Sequence, residues 1–63
     1  MLEAYEQLKR LVAEVEEDVR KAAGGNKAAG TRVRKAMQDI KNASQALRVK
    51  VLENREDESA AGN

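Results

Sequence analysis

Cysteine, histidine, proline, tryptophan and phenylalanine are all missing from these 63 residues, and Tyr5 is the only aromatic. Without cysteine there is no disulfide, and without cysteine or histidine there is no thiolate or imidazole ligand set for zinc. The same gaps remove the usual general base and the usual thiol nucleophile, so the sequence predicts no enzyme, no catalytic residue, no cofactor, no metal and no small-molecule substrate. Glu14, Glu16, Glu17 and Asp18 form an acidic run, but they point in different directions around a helix and read as a solvated face rather than a cation site. Apolar runs never exceed three residues, which leaves no membrane span and no apolar stretch of a secretory leader; the expected location is the cytoplasm.

A chain this short buries only about 60% of the surface that its unfolded form exposes. With disulfides and metals excluded, self-association is the remaining way to enlarge the core. What the sequence does have is charge, arranged in blocks. Residues 1–19 hold six acids and two bases, residues 20–50 hold nine bases and one acid (Asp39), and residues 51–63 hold four acids and one base. The overall charge of +1 therefore conceals net values of −4, +8 and −3. Such a field decides which partners approach.

Apolar spacing predicts two helices. Tyr5, Leu8, Val12, Val15, Val19 and Ala22 alternate steps of three and four, a helical seam that Leu2 and Leu11 widen. Gly24-Gly25 ends this first helix, expected over about 2–23, because glycine takes left-handed dihedrals without steric cost. Asn26 is suited to cap the next helix with its side-chain oxygen. That helix is expected from Lys27 to about Glu53–Glu56, with a seam of Val33, Met37, Ile40, Ser44, Leu47 and Val51 and small residues Ala29, Ala36 and Ala43 along one flank. Residues 57–63 show no periodicity and read as a disordered acidic tail.

A turn of three residues, 24–26, forces the helices antiparallel. The expected fold is thus an all-α antiparallel helical hairpin over residues 1–56, self-associating into a four-helix bundle, with Leu8, Val12, Val15, Val19, Val33, Ile40 and Leu47 in the core. Pairing residues symmetrically about Gly25 sets Val19 beside Thr31 and Glu16 beside Arg34, and leaves Val51 and Leu52 uncovered within one chain. Gly30, a glycine inside the second helix, calls for a close neighbour, either another helix or a phosphate backbone.

Lys27, Arg34, Lys41, Arg48 and Arg55 recur every seven residues and so share one edge of the second helix. Arg32 and Lys35 lie elsewhere on it, and Arg20 and Lys21 add charge at the turn. The positive density peaks where the second helix also offers free backbone N–H groups, an arrangement suited to phosphate. Gly25 to Thr31 is no nucleotide-binding loop, because Thr31 follows Gly30 without a lysine and no strand precedes it. Aromatic platforms for single strands are absent, and lysine and arginine default to phosphate rather than base edges. The predicted contact residues are Lys27, Arg32, Arg34 and Lys35, with Arg20, Lys21, Lys41 and Arg48 assisting.

The segment from Gly25 to Lys35, Gly-Asn-Lys-Ala-Ala-Gly-Thr-Arg-Val-Arg-Lys, resembles the signature of bacterial linker-histone-like proteins of the chlamydial type. In those proteins a hydrophobic helix precedes a Gly-Asn-Lys-Ala-Ala turn and a basic helix follows. The resemblance spans roughly residues 5 to 52. It implies a nucleoid-associated, DNA-compacting, chromatin-like role, carried by Lys27, Arg32, Arg34 and Lys35. Longer members continue into a lysine- and alanine-rich tail, whereas Glu53, Glu56, Asp57 and Glu58 stand here, which implies a short form that relies on oligomerisation, as a homodimer or tetramer. The expected function is sequence-tolerant binding of duplex phosphates that compacts or bridges DNA. The alternative is a small helical oligomerisation or adaptor module whose charges specify protein pairing.

Overall fold

The structure, a computed structural model, describes the backbone of residues 1–60 and the side chains of residues 1–54. Two helices make up the fold: α1 (Leu2–Ala23) and α2 (Lys27–Ala60). They pack antiparallel into a rod 52 Å long and about 15 Å across.

The turn follows from its three residues. Gly25 adopts φ +99°, open to glycine without strain. Its amide donates to the Ala22 carbonyl at 3.0 Å, and the Asn26 amide donates to the Lys21 carbonyl at 3.0 Å, so the last carbonyls of α1 are satisfied. The Asn26 side chain then turns to the other helix, where its Oδ1 accepts from the Ala29 amide at 2.9 Å. One residue thus closes α1 with its backbone and opens α2 with its side chain.

The seam between the helices keeps every second residue of the expected row and shifts the alternate ones by one position. On α1 the covered residues are Ala4, Leu8, Leu11, Val15, Asp18 and Ala22; on α2 they are Ala29, Val33, Ala36, Ile40, Ala43 and Leu47, with Gly30 partly covered beside Ala29. Both rows alternate steps of four and three, as a heptad seam requires. Val15 and Ala29 are the most deeply buried, at 6% and 0% exposure. Of the expected core, Leu8, Val15, Val33, Ile40 and Leu47 lie on this seam, while Val12 and Val19 remain about half exposed beside it. The alanines expected on a flank are the residues at the contact, because small side chains let the two backbones approach. The acidic run divides as well: Asp18 sits on the seam instead of on a solvated face.

Helix α2 runs past the end expected near Glu53–Glu56. Its apolar pattern stops at Leu52, but no glycine or proline interrupts the sequence before Gly62, and Glu, Arg and Ala favour helix. The last part of the expected tail, residues 61–63, lies outside the described residues. Since α1 begins opposite the region of Lys50, the end of α2 projects beyond it, and Val51 and Leu52 stay exposed as expected.

Candidate nucleic-acid interface

Once the seam is fixed, helical geometry assigns the remaining residues to faces. In an antiparallel pair the residues that follow the seam on both helices meet on one side of the hairpin, and those that precede it meet on the other. Tyr5, Val12 and Val19 of α1 share a side with Gly30, Met37, Ser44 and Val51 of α2. A shallow apolar groove lined by Val12, Val15, Val19, Met37 and Ile40, with Glu16 at its edge, runs along it. The opposite side is polar, with Gln7, Glu14 and Lys21 on α1 and Arg32, Asp39 and Ala46 on α2.

The eight expected contact residues do not form one patch. Lys27, Arg34, Lys41 and Arg48 fall in a single row along the outer border of the apolar side, spanning about 32 Å at 1.5 Å per residue. Lys35 lies on the outer face of α2, Arg20 on the outer face of α1, and Lys21 and Arg32 on the polar side. Arg55, fifth in the row, lies outside the residues whose side chains are described.

Two of the eight already hold a carboxylate. The Arg32 Nε and Nη2 both donate to Asp18 Oδ1 at 3.0 Å, the ion pair that joins the two helices. The hydrogen bond that Arg32 donates to Asp18, and then the charge of Asp18, push the Arg32 guanidinium further into its protonated range. Arg20 donates to Glu16 at 2.9 Å, an exposed pair one turn apart on α1. That contact leaves the expected pairing of Glu16 with Arg34 unmade within the chain. The other described ion pairs, Lys9 with Glu6 and Lys50 with Glu53, are local and exposed. Lys21, Lys27, Arg34, Lys35, Lys41 and Arg48 have no ion-pair partner among the described residues.

Asp18 is the residue that sequence reasoning missed. The row through Tyr5, Val12 and Val19 is as regular as the row through Ala4, Leu11 and Asp18, and more apolar, so periodicity alone chose the wrong neighbour. Its signal was the symmetric pairing about Gly25, which sets position 18 opposite position 32 and so an acid opposite a base. At the turn, the Asn26 side chain takes the Ala29 amide and the Asn26 carbonyl takes the Gly30 amide. The amides of Lys27 and Ala28 face solvent at the positive end of α2, next to the Lys27 side chain.

The amino-acid sequence matches a family described as histone H1-like protein Hc1 over residues 2–57. The chain belongs to that histone H1-like family. No curated protein and no solved structure matches it. Membership gives the chain a histone-like, DNA-binding role at the nucleoid, in a family of structural rather than enzymatic proteins. Among the described residues, no helix is long and apolar enough to cross a membrane.

Proposed function

We propose that the chain binds duplex DNA without sequence preference by contacting backbone phosphates. The observation that carries this reading is the row of Lys27, Arg34, Lys41 and Arg48, four cations on one edge of a rigid helix with no carboxylate paired to them among the described residues. Lys35 and the solvent-facing amides of Lys27 and Ala28 add to the positive field near the turn, together with Lys21. Arg20 and Arg32 contribute less, because each is already engaged by a carboxylate on α1. No base-reading side chain is needed, since lysine and arginine on a smooth helix address phosphates of any sequence.

We further propose that the working unit is a homo-oligomer, most simply a dimer forming a four-helix bundle. One hairpin leaves Tyr5, Val12, Val19, Met37, Val51 and Leu52 exposed, and few fully buried side chains support it. A dimer doubles the basic rows on one assembly, which raises avidity for a polyanion and supplies the means to compact DNA.

Titration of duplex DNA over a range of salt concentrations tests the DNA reading. If about four to six phosphates are neutralised, log K against log [salt] falls with a slope near −4 to −5. Lys27→Glu combined with Lys41→Glu is expected to abolish binding while leaving helicity and oligomer size unchanged. Normal binding by that double variant, or none by the wild type at about 50 mM salt, where phosphate contacts are strong, overturns the reading in favour of a protein-pairing module.

A further inference from the structure

Two features of the apolar side have no account within one chain. Val12, Val19 and Met37 line a groove between the helices, and Tyr5 lines a neighbouring hollow on α1, yet the four stay 51%, 44%, 42% and 46% exposed. Gly30 belongs to the same side, and a Cβ built on it meets nothing within 4 Å. A glycine inside a helix weakens it, and nothing in the hairpin compensates by coming close.

We propose that the occupant of this groove is a second copy of the chain, laid groove to groove about a two-fold axis parallel to the rod, so that both turns lie at the same end. The inference rests on the homodimer read above and adds its face and its direction. Two two-fold arrangements can bury a groove between antiparallel helices. An axis along the rod lays each α1 on the partner's α2, whereas an axis across the rod lays α1 on α1 and α2 on α2. Charge chooses between them. Helix α1 carries six acids and four bases, net −2, and residues 27–54 of α2 carry seven bases and two acids, net +5. The axis across the rod opposes two +5 helices; the axis along it opposes −2 to +5 at both contacts.

Along the borders of the groove the lengthwise axis makes one attractive pair, Glu16 with Arg34, and sets Lys9, already held by Glu6 at 3.3 Å, opposite Lys41. Glu16 stands on the α1 border and Arg34 on the α2 border, at nearly the same height along the rod, as the contact of Asp18 with Arg32 requires. A copy related by the lengthwise axis keeps that height and brings its Glu16 to Arg34, the pairing that one chain leaves unmade. The same operation sets the projecting Val51 and Leu52 of both copies at one end, where they cover each other, while the crosswise axis sets them beside the partner's cationic turn. Gly30 then faces the other copy, whose approach gives the glycine its purpose. Both basic turns converge at one end, so that a dimer grips one duplex there instead of joining two from opposite ends.

The absence of cysteine makes the test direct. Ala28→Cys, at an exposed position in the first turn of α2, carries one spin label per chain. Pulsed dipolar spectroscopy of the labelled chain without DNA is expected to give about 20–30 Å, given helices 8–10 Å apart in a bundle. Turns at opposite ends of the rod give about 40 Å or more at 1.5 Å per residue, and that result overturns the proposal, as does a monomer at about 100 μM, far above the range where a stable dimer forms. Val12→Glu places a charge in the groove from a half-exposed position and is expected to raise the dimer dissociation constant at least tenfold; an unchanged constant overturns the choice of face. The distance measurement leaves the groove intact and decides the matter by itself if Val12→Glu loses its helices. Because neither readout contains DNA, a turns-together dimer that fails to bind DNA refutes the phosphate reading alone.

Discussion

The two long sides of the hairpin flank the same seam and share the same helices, yet they differ in kind. On the polar side Arg32 reaches across to Asp18, and its neighbours Lys21, Glu14 and Asp39 are content in water. On the apolar side the residues one step further on, Val12, Val19 and Met37, have nothing to reach and no water they favour. Two fronts stabilise the two-helix rod, a seam and a water-facing side that an ion pair fastens, while a second apolar face stays unburied within one chain. Surface ion pairs of the Asp18–Arg32 kind are weak and screened by salt. Alanine contacts at the seam bury little area each. The unsatisfied face is therefore where the remaining stabilisation of so small a core has to come from.

The largest expected effect concerns the seam that both sides share. Ala29 is fully buried beside the turn that joins α1 to α2. Ala29→Leu inserts three carbons into a space with none to spare and prises the helices apart at their joined end. We expect a loss of about 1–3 kcal/mol, enough in a hairpin of this size to abolish the cooperative thermal transition followed by circular dichroism. A variant that melts like the wild type would mean that the contact is looser than 0% exposure implies.

Much of this architecture was legible from local chemistry. The Gly-Gly-Asn turn, the Asn26 cap, the start of α2 and the direction of the chain follow from residues adjacent in sequence, whose conformations depend on little else. The choice between adjacent seams did not follow, since Leu8 and Val15 belong to both and the decision falls to Val12 against Leu11 and Val19 against Asp18. Hydrophobicity favours the valines; the small residues Ala4, Ala29, Ala36 and Ala43 favour the seam that forms, because only there can the backbones close up. The end of α2 was misjudged for a related reason: the apolar pattern stops before the helix does, and helix propensity carries the backbone on to Ala60. For the candidate site, the segregation of charge was plain, but the engagement of Arg32 by Asp18 depended on the correct seam.

That engagement sharpens the comparison through DNA binding. Lys41 borders the apolar side with no ion-pair partner among the described residues, while Arg32 is committed on the polar side. Lys41→Ala is expected to flatten the plot of log K against log [salt] by about one unit, and Arg32→Ala by clearly less. Removing the acid should equalise them: in an Asp18→Asn background, Arg32 is released, the slope steepens, and Arg32→Ala then flattens it by about one unit as well. The ion pair also makes its own small contribution to the hairpin, so the thermal midpoint of Asp18→Asn should lie slightly below that of wild type in dilute buffer. In about 1 M salt, where the screening length falls to about 3 Å, the two should nearly coincide. Equal slopes for Arg32→Ala and Lys41→Ala in the wild-type background would show that DNA takes Arg32 from Asp18 at no cost.

The smallest effect isolates the apolar side. Gly30 lies in α2 with open space around the position of a Cβ, so within one hairpin Gly30→Ala can only improve helix propensity, by up to about 1 kcal/mol. In a dimer joined through the groove, the added methyl meets the second copy instead. Thermal stability of Gly30→Ala should therefore depend on protein concentration in a way that distinguishes the two surroundings. At a dilution where sedimentation shows a single chain, the variant is expected to melt above the wild type. At concentrations where the dimer dominates, that advantage should shrink or reverse, because association now stabilises the glycine form more strongly. An advantage that stays constant across the whole range would mean that no chain comes near Gly30 in either state, and the apolar side would then differ from the polar side in composition alone.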